Sequence, residues 1–179
     1  VHIPFCRSFC SYCNFYSSTK LREITPVLDS IKQEWIRERD TWLDLWRSGT
    51  FRLRHTLYIG GGTPSVCQAG ELAPILDLLG NDLKNEGMKP SEVTLEANPG
   101  DLSVAYCSAL LALGVNRLSI GIQSFNDTHL QAMKRRHTAG EGINAVKAAR
   151  TAGFRNISLD LIFGFPGLIL SQWEETLQQ

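Results

Sequence analysis

The sequence predicts an α/β fold, a partial TIM-like barrel of parallel strands around a partly hollow centre. One reason is spacing: strand-like and helix-like stretches alternate every roughly 25 to 40 residues, as in βα units joined by crossover helices. The other is the two-sidedness of the strands, because successive side chains point to opposite faces. Leu118, Ile120 and Ile122 oppose Ser119, Gly121 and Gln123; Val93, Leu95 and Ala97 oppose Thr94, Glu96 and Asn98; Ile157, Leu159, Leu161 and Phe163 oppose Ser158, Asp160 and Ile162. With helices on the apolar faces, the other faces meet around a centre of small and polar groups. An eight-stranded barrel fills that centre with bulky branched residues. A doubly wound sheet buries both faces and leaves Glu96 and Asp160 unexplained. An open barrel with a polar interior holds its ligand at the C-terminal strand ends.

The elements follow in order. Ile24, Val27, Leu28, Ile31, Trp35, Trp42 and Trp46 mark one face of a helix from about Thr25 to Arg47. Three tryptophans there point to heavy packing, with a ligand platform as the other reading. Ser48-Gly49 closes this helix, and His55–Ile59 reads as a strand running into Gly60-Gly61-Gly62-Thr63-Pro64-Ser65. A helix around Ala69–Glu86 leads to a strand Val93–Asn98, and a helix around Ser103–Leu113 leads to a strand Arg117–Gln123. Two helical stretches, Asp127–Arg135 and Gly140–Ala152, precede a strand Asn156–Phe163, and a last helix begins near Ser171.

The 179 residues, 43% of them hydrophobic, suffice for one domain with a sizeable core. Eighteen basic against eighteen acidic residues give no net charge, so composition points to neither nucleic acid nor an anionic membrane as partner. No apolar run is long enough for a transmembrane segment, and the opening residues do not read as a signal peptide. Five cysteines, three of them clustered, favour a reducing, cytoplasmic compartment and metal chemistry over disulfides. Cys107 reads as a helix packing residue and Cys67 as an ordinary loop thiol. The chain opens on its cysteine motif and stops inside a helical pattern, so it is expected to be a fragment, and organellar targeting stays open.

Cys6, Cys10 and Cys13 lie at spacings of four and three residues, close enough for one loop to turn three thiolates toward a common centre. Zinc, an iron–sulfur cluster and disulfides are all compatible with that spacing. A structural zinc usually takes four ligands, and only His2 lies near enough in sequence to be a fourth. The flanking residues, His2-Ile3-Pro4-Phe5-Cys6 before and Tyr12-Cys13-Asn14-Phe15 after, resemble those of the radical S-adenosylmethionine (SAM) superfamily, within it the oxygen-independent coproporphyrinogen oxidase family with its HemW-like heme-chaperone branch. That resemblance implies a (β/α)6 partial barrel, of which about five units fit here, forming one radical SAM core domain over residues 1–179, incomplete at both ends. It also implies a [4Fe–4S] cluster held by Cys6, Cys10 and Cys13, with one iron left open for SAM.

Further residues match the family's motifs in order. Gly60-Gly61-Gly62-Thr63-Pro64 lacks the Gly-Lys-Ser/Thr ending of a phosphate loop and by itself is a strand-to-helix turn. It is similar to the family's glycine-rich loop, which implies that Gly61, Gly62 and Thr63 face the SAM amino group. Glu96, by itself a salt-bridge partner or a ligand to a ribose, stands in Glu96-Ala97-Asn98-Pro99, where the family places its ribose-binding glutamate. Gln123 and Asp160 match later SAM contacts, with buried structural hydrogen bonding as the other reading. Arg135, twelve residues after Gln123, resembles the arginine that pairs with the SAM carboxylate, with Arg136 taking that place if the match slips by one. Without the resemblance, this run is a solvated helix end. Tyr12 is similar to the aromatic residue that lines the adenine pocket, or packs simply. His2 and His137 read as structural.

The resemblance implies that an electron from the cluster, supplied by a donor such as flavodoxin or ferredoxin, cleaves SAM to methionine and a 5′-deoxyadenosyl radical. Two functions follow from it. A heme chaperone binds heme and delivers it to respiratory heme proteins; an oxygen-independent coproporphyrinogen III oxidase decarboxylates coproporphyrinogen III. Asn14-Phe15-Tyr16-Ser17 after the third cysteine is closer to the chaperone branch, since the oxidase usually places Gly-Cys there. A radical reaction on some other substrate is a third reading.

Overall fold

The computed structural model describes residues 1–48 and 55–179. Five strands, β1 (His2–Ile3), β2 (Thr56–Gly61), β3 (Glu92–Ala97), β4 (Arg117–Gln123) and β5 (Asn156–Leu161), form one sheet whose spatial order is the order of the chain. Every neighbouring pair is parallel. Parallel neighbours require crossovers, and crossovers are right-handed, so a sequential order keeps the helices on one side and leaves the other free to curve around an interior. β1 and β5 are the two ends, so the barrel is open.

The helices are α1 (Ile24–Arg47), α2 (Ala69–Asn85), α3 (Val104–Ala112), α4 (Asp127–Ala132), α5 (Ala139–Ala152) and α6 (Leu170–Gln178). Between sheet and helices lies the core. Leu95, Leu118, Ile120 and Ile122 are completely or almost completely buried, as are Leu72 of α2, Cys107 and Leu110 of α3 and Ala149 of α5. These strand residues are the apolar faces expected of β3 and β4; the face expected of β5 is not buried throughout, since Leu159 is 38% exposed and Phe163 lies beyond the strand and is exposed. Ser103, Asn126 and Thr138 cap α3, α4 and α5 by accepting from otherwise unpaired first-turn N–H groups.

The opposite face is polar, as expected. Arg117 donates to Glu92 (3.2 Å) and to the Ser158 hydroxyl (3.1 Å), and Ser158 donates to Ser119 (3.3 Å), which in turn donates to Asp160 (3.2 Å). This ladder crosses β3, β4 and β5 below the C-terminal strand ends. It satisfies polar groups that a barrel packed with branched residues would exclude.

Three further expectations need correction. Trp35 and Trp42 do not form a packed stripe: Trp42 is 51% exposed, while the inward face runs through Ile24, Leu28, Trp35, Arg39 and Leu43, and the Trp46 side chain lies outside what is described. Trp35 and Arg39 are on that face because both reach Asp82 of α2, at 2.7 Å and 3.2 Å. Cys67 does lie in the loop before α2, but it is fully buried rather than an ordinary loop thiol, and burial pushes its pKa up to about 12. The helix expected over Asp127–Arg135 stops at Ala132. Gly49, expected to close the first helix, lies outside the described residues.

Truncating Leu118 to alanine leaves a cavity between sheet and helices and is expected to cost about 2–5 kcal/mol, whereas Trp42→Ala should stay within about 0.5 kcal/mol; urea denaturation of both variants checks the contrast.

Candidate cofactor-binding site

The cysteine loop and the glycine loop come together because β1 pairs with β2. Gly60, Gly62 and Thr63 donate their N–H groups to Val1 O (3.1 Å), Ile3 O (2.9 Å) and Phe5 O (2.7 Å), continuing the ladder beyond the last paired strand residue. Thr63 Oγ1 thereby comes within 3.4 Å of Cys6 Sγ. Gly61 has φ +129°, and a Cβ there would sit 2.2 Å from the His2 ring, so no side chain fits between the loops.

Arg135 enters by a different device. After α4, Arg135 N–H donates to Leu130 O (2.8 Å) and Lys134 N–H to Gln131 O (2.9 Å), the double bond of a Schellman ending, with Lys134 at the left-handed position usually held by glycine (φ +56°). This turn sends Arg135 back to the sheet, where it donates to Gly121 O (2.7 Å), the Tyr12 hydroxyl (3.3 Å) and Cys10 Sγ (3.3 Å). Gly121 allows that approach: a Cβ on it would lie 3.4 Å from the guanidinium and 2.8 Å from the Gln123 amide. Arg136 lines the same cavity but reaches Asp101 at 3.7 Å and not Gly121, Tyr12 or Cys10, so the two arginines are not interchangeable. Arg135 is thus no solvated helix end, and its Nε is buried without a partner.

Gln123 is held in a left-handed turn (φ +69°), with Ser124 N–H bonded to Ile122 O (2.9 Å). Such a conformation is strained in a residue other than glycine, and strain concentrates at functional sites. The Ile122 carbonyl, an acceptor only, also receives His137 Nε2–H (3.0 Å). Buried and next to Arg135, His137 has its pKa pushed down to about 4, so it stays neutral at ordinary pH. The structural reading of His137 therefore fits.

Glu96 accepts from Gly61 N–H (2.9 Å) and from the Tyr58 hydroxyl (2.6 Å), and forms no salt bridge among the described residues. Lost hydration, then the neighbouring carboxylate, push the Tyr58 pKa up to about 12. Asp160 is likewise raised, by burial and by the charge of Glu96, against the opposing Ser119 hydrogen bond. Tyr12 is pushed up to about 12 by burial, against the pull of Arg135.

All eleven residues singled out in the sequence, Cys6, Cys10, Tyr12, Cys13, Gly61, Gly62, Thr63, Glu96, Gln123, Arg135 and Asp160, line one cavity of ≈ 450 Å³ at the C-terminal strand ends. Asp101 and Tyr58 were not legible as partners of this site. Asp101, its side chain 4% exposed, receives the Ser65 hydroxyl (2.8 Å) and pairs with Arg7 (3.3 Å) and Arg136. No short-range pattern betrays it, because Arg7 lies 94 residues away.

The residues fit the expected cofactors. Among the described residues no three His, Cys, Asp or Glu are gathered as for a single ion. The three thiols are free and line the cavity together, and a cluster gives each cysteine an iron of its own. The unpartnered Arg135 Nε suits a carboxylate, and the close-packed glycine loop leaves backbone rather than side chains beside the cavity.

An open parallel barrel with a three-cysteine loop and a polar cavity at its strand ends sets the protein's class. A family model for the radical SAM superfamily matches residues 1–179, and the chain belongs to that superfamily, which implies a [4Fe–4S] cluster and SAM. The chain is 36% identical over 178 residues to the heme chaperone HemW of Bacillus subtilis, covering 99% of this chain and 45% of that protein. It is 38% identical over 166 residues to HemW of Lactococcus lactis (93% and 41%). A mitochondrial radical SAM domain-containing protein 1 from Mus musculus is 36% identical over 181 residues (100% and 39%). Among solved structures, the coproporphyrinogen III oxidase HemN of Escherichia coli, a radical SAM enzyme, matches with a TM-score of 0.77 at 28% identity, over 99% of this chain and 39% of that one. The chain spans less than half the length of these relatives. No helix among the described residues is long and apolar enough to cross a membrane.

Two outcomes follow. Asp101→Asn should lower stability by about 1–3 kcal/mol in urea denaturation, because Arg7 and Arg136 lose a charged acceptor. His137 has a folded pKa below its ordinary 6.5, so the unfolded chain takes up its proton first, and stability should fall as pH drops from 6.5 toward about 4. Unfolding measured across that window should show a shallower loss in His137→Gln.

Proposed function

We propose that this chain is the cofactor-binding part of a heme-handling protein of the HemW type. What carries this reading is 36–38% identity to proteins named heme chaperone, over nearly the whole chain, together with all eleven matched residues in one cavity. The Asn14-Phe15-Tyr16-Ser17 segment after the third cysteine supports it. The likeness to HemN supports a second reading, an oxygen-independent coproporphyrinogen III oxidase.

In this reading Cys6, Cys10 and Cys13 hold the cluster, and Gly61, Gly62 and Thr63 form the backbone wall beside the SAM amino end. Arg135 takes the SAM carboxylate, and its bonds to Gly121 O and Tyr12 pre-orient the fork. Glu96, already fixed by Gly61 and Tyr58, accepts from the ribose hydroxyls. Gln123 and Asp160 complete the polar wall, and Tyr12 lies at the adenine side. When bound, cluster and SAM supply one-electron chemistry at the sulfonium. A reductant such as flavodoxin or ferredoxin, and respiratory proteins that accept heme, are the partners this function requires.

The test is made on the anaerobically reconstituted, reduced protein, by heme titration and by mass spectrometry of coproporphyrinogen III incubated with SAM. Heme binding without decarboxylation is expected; loss of two carboxyl groups from the porphyrinogen would replace the chaperone with the oxidase. For the ligand set, Cys10→Ala should lose the cluster while Cys107→Ala retains it, and normal iron and sulfide in Cys10→Ala would overturn the assignment.

A further inference from the structure

The cavity has a second chemical character at its mouth, which the SAM-facing residues do not use. Phe9, Phe15 and Tyr16 of the cysteine loop line it while 57%, 79% and 78% exposed, an unusual outlay of aromatic surface at the edge of a polar cavity. Beside them Arg7 and Arg136 also line it. Both guanidiniums share the single carboxylate of Asp101, whose other oxygen is taken by Ser65. Two positive charges on one negative leave an excess of one, and neither arginine makes another ion pair or hydrogen bond among the described residues. Asp101 therefore holds two forks in place with most of their donors free.

Exposed aromatic faces next to fixed, under-neutralised guanidiniums match a ligand that is flat and apolar over most of its area and carries carboxylates at one edge. We infer that Arg7 and Arg136, with Phe9, Phe15 and Tyr16, form a tetrapyrrole subsite at the cavity mouth, the rings packing on the macrocycle and the arginines holding its propionates. This inference rests on the heme-handling reading and assigns it residues. A protein surface is the poorer fit, because these side chains line a concavity rather than a flat face.

The experiment compares heme, heme dimethyl ester and coproporphyrin III as ligands of the cluster-loaded protein, with binding followed by fluorescence quenching and absorbance. Esterification removes the carboxylate charges and leaves the ring, so heme should bind about tenfold tighter than its ester. That gap should close in Arg136→Gln and persist in Arg136→Lys, while Phe15→Ser or Tyr16→Ser should weaken heme and ester alike. Iron content, measured for each variant, shows whether the cysteine loop is intact. Tighter heme points to cargo and tighter coproporphyrin III to an oxidase substrate, and either carries the subsite if the ester is disfavoured. Equal binding of heme and ester by the unaltered protein overturns the subsite but leaves the heme-handling reading standing, as does a gap that survives in Arg136→Gln. Failure to bind any of the three removes both.

Discussion

One buried carboxylate ties this site together. Asp101 receives a hydroxyl from the segment after the glycine loop and guanidiniums from the cysteine loop and from the turn after α4. Ser65, while donating to Asp101, accepts Asn98 N–H at 3.0 Å, so the end of β3 joins the same network. Removing a carboxylate from water is costly unless its lone pairs are filled. Here the filling comes from three separate stretches of chain, so the condition that stabilises Asp101 also sets their relative positions. Loops that carry ligands are otherwise the least constrained parts of a fold.

The charges around the cavity are sorted. Glu96 and Asp160 stand on the barrel wall, where their mutual repulsion contributes to the raised pKa of Asp160. Arg7, Arg135 and Arg136 stand toward the cysteine loop and the mouth. A ligand with hydroxyls at one end and a carboxylate at the other meets complementary groups in one orientation only. The polar ladder from Glu92 through Arg117 and Ser158 to Asp160 closes the floor without apolar filling, which keeps the space above it open.

Much of this was legible in the sequence, for physical reasons. Strand faces alternate strictly, so Leu118, Ile120 and Ile122 declared the core and Ser119, Gly121 and Gln123 the interior. The cysteine and glycine motifs were visible because each works within a few residues. What was hidden depends on partners far apart in sequence. Asp101 looks like any turn aspartate until Arg7 is folded against it, and Tyr58 looks like a strand aromatic until Glu96 is 2.6 Å away. The end of α4 was misplaced because a lysine, not a glycine, occupies its left-handed position. Trp42 misled because periodicity marks a stripe without saying where its edge lies: Trp35 donates to Asp82 of α2, while Trp42, seven residues on, is exposed.

β1 is only two residues long, and it pairs with a strand more than fifty residues later in the chain. The contacts that seat the cysteine loop reach still further, to Asp101, Met133 and Arg135. During synthesis its three thiols leave the ribosome ahead of every segment that positions them. The cysteine loop is therefore made before its partners, and it can take this seat only once β2, the Asp101 turn and the segment after α4 have followed it.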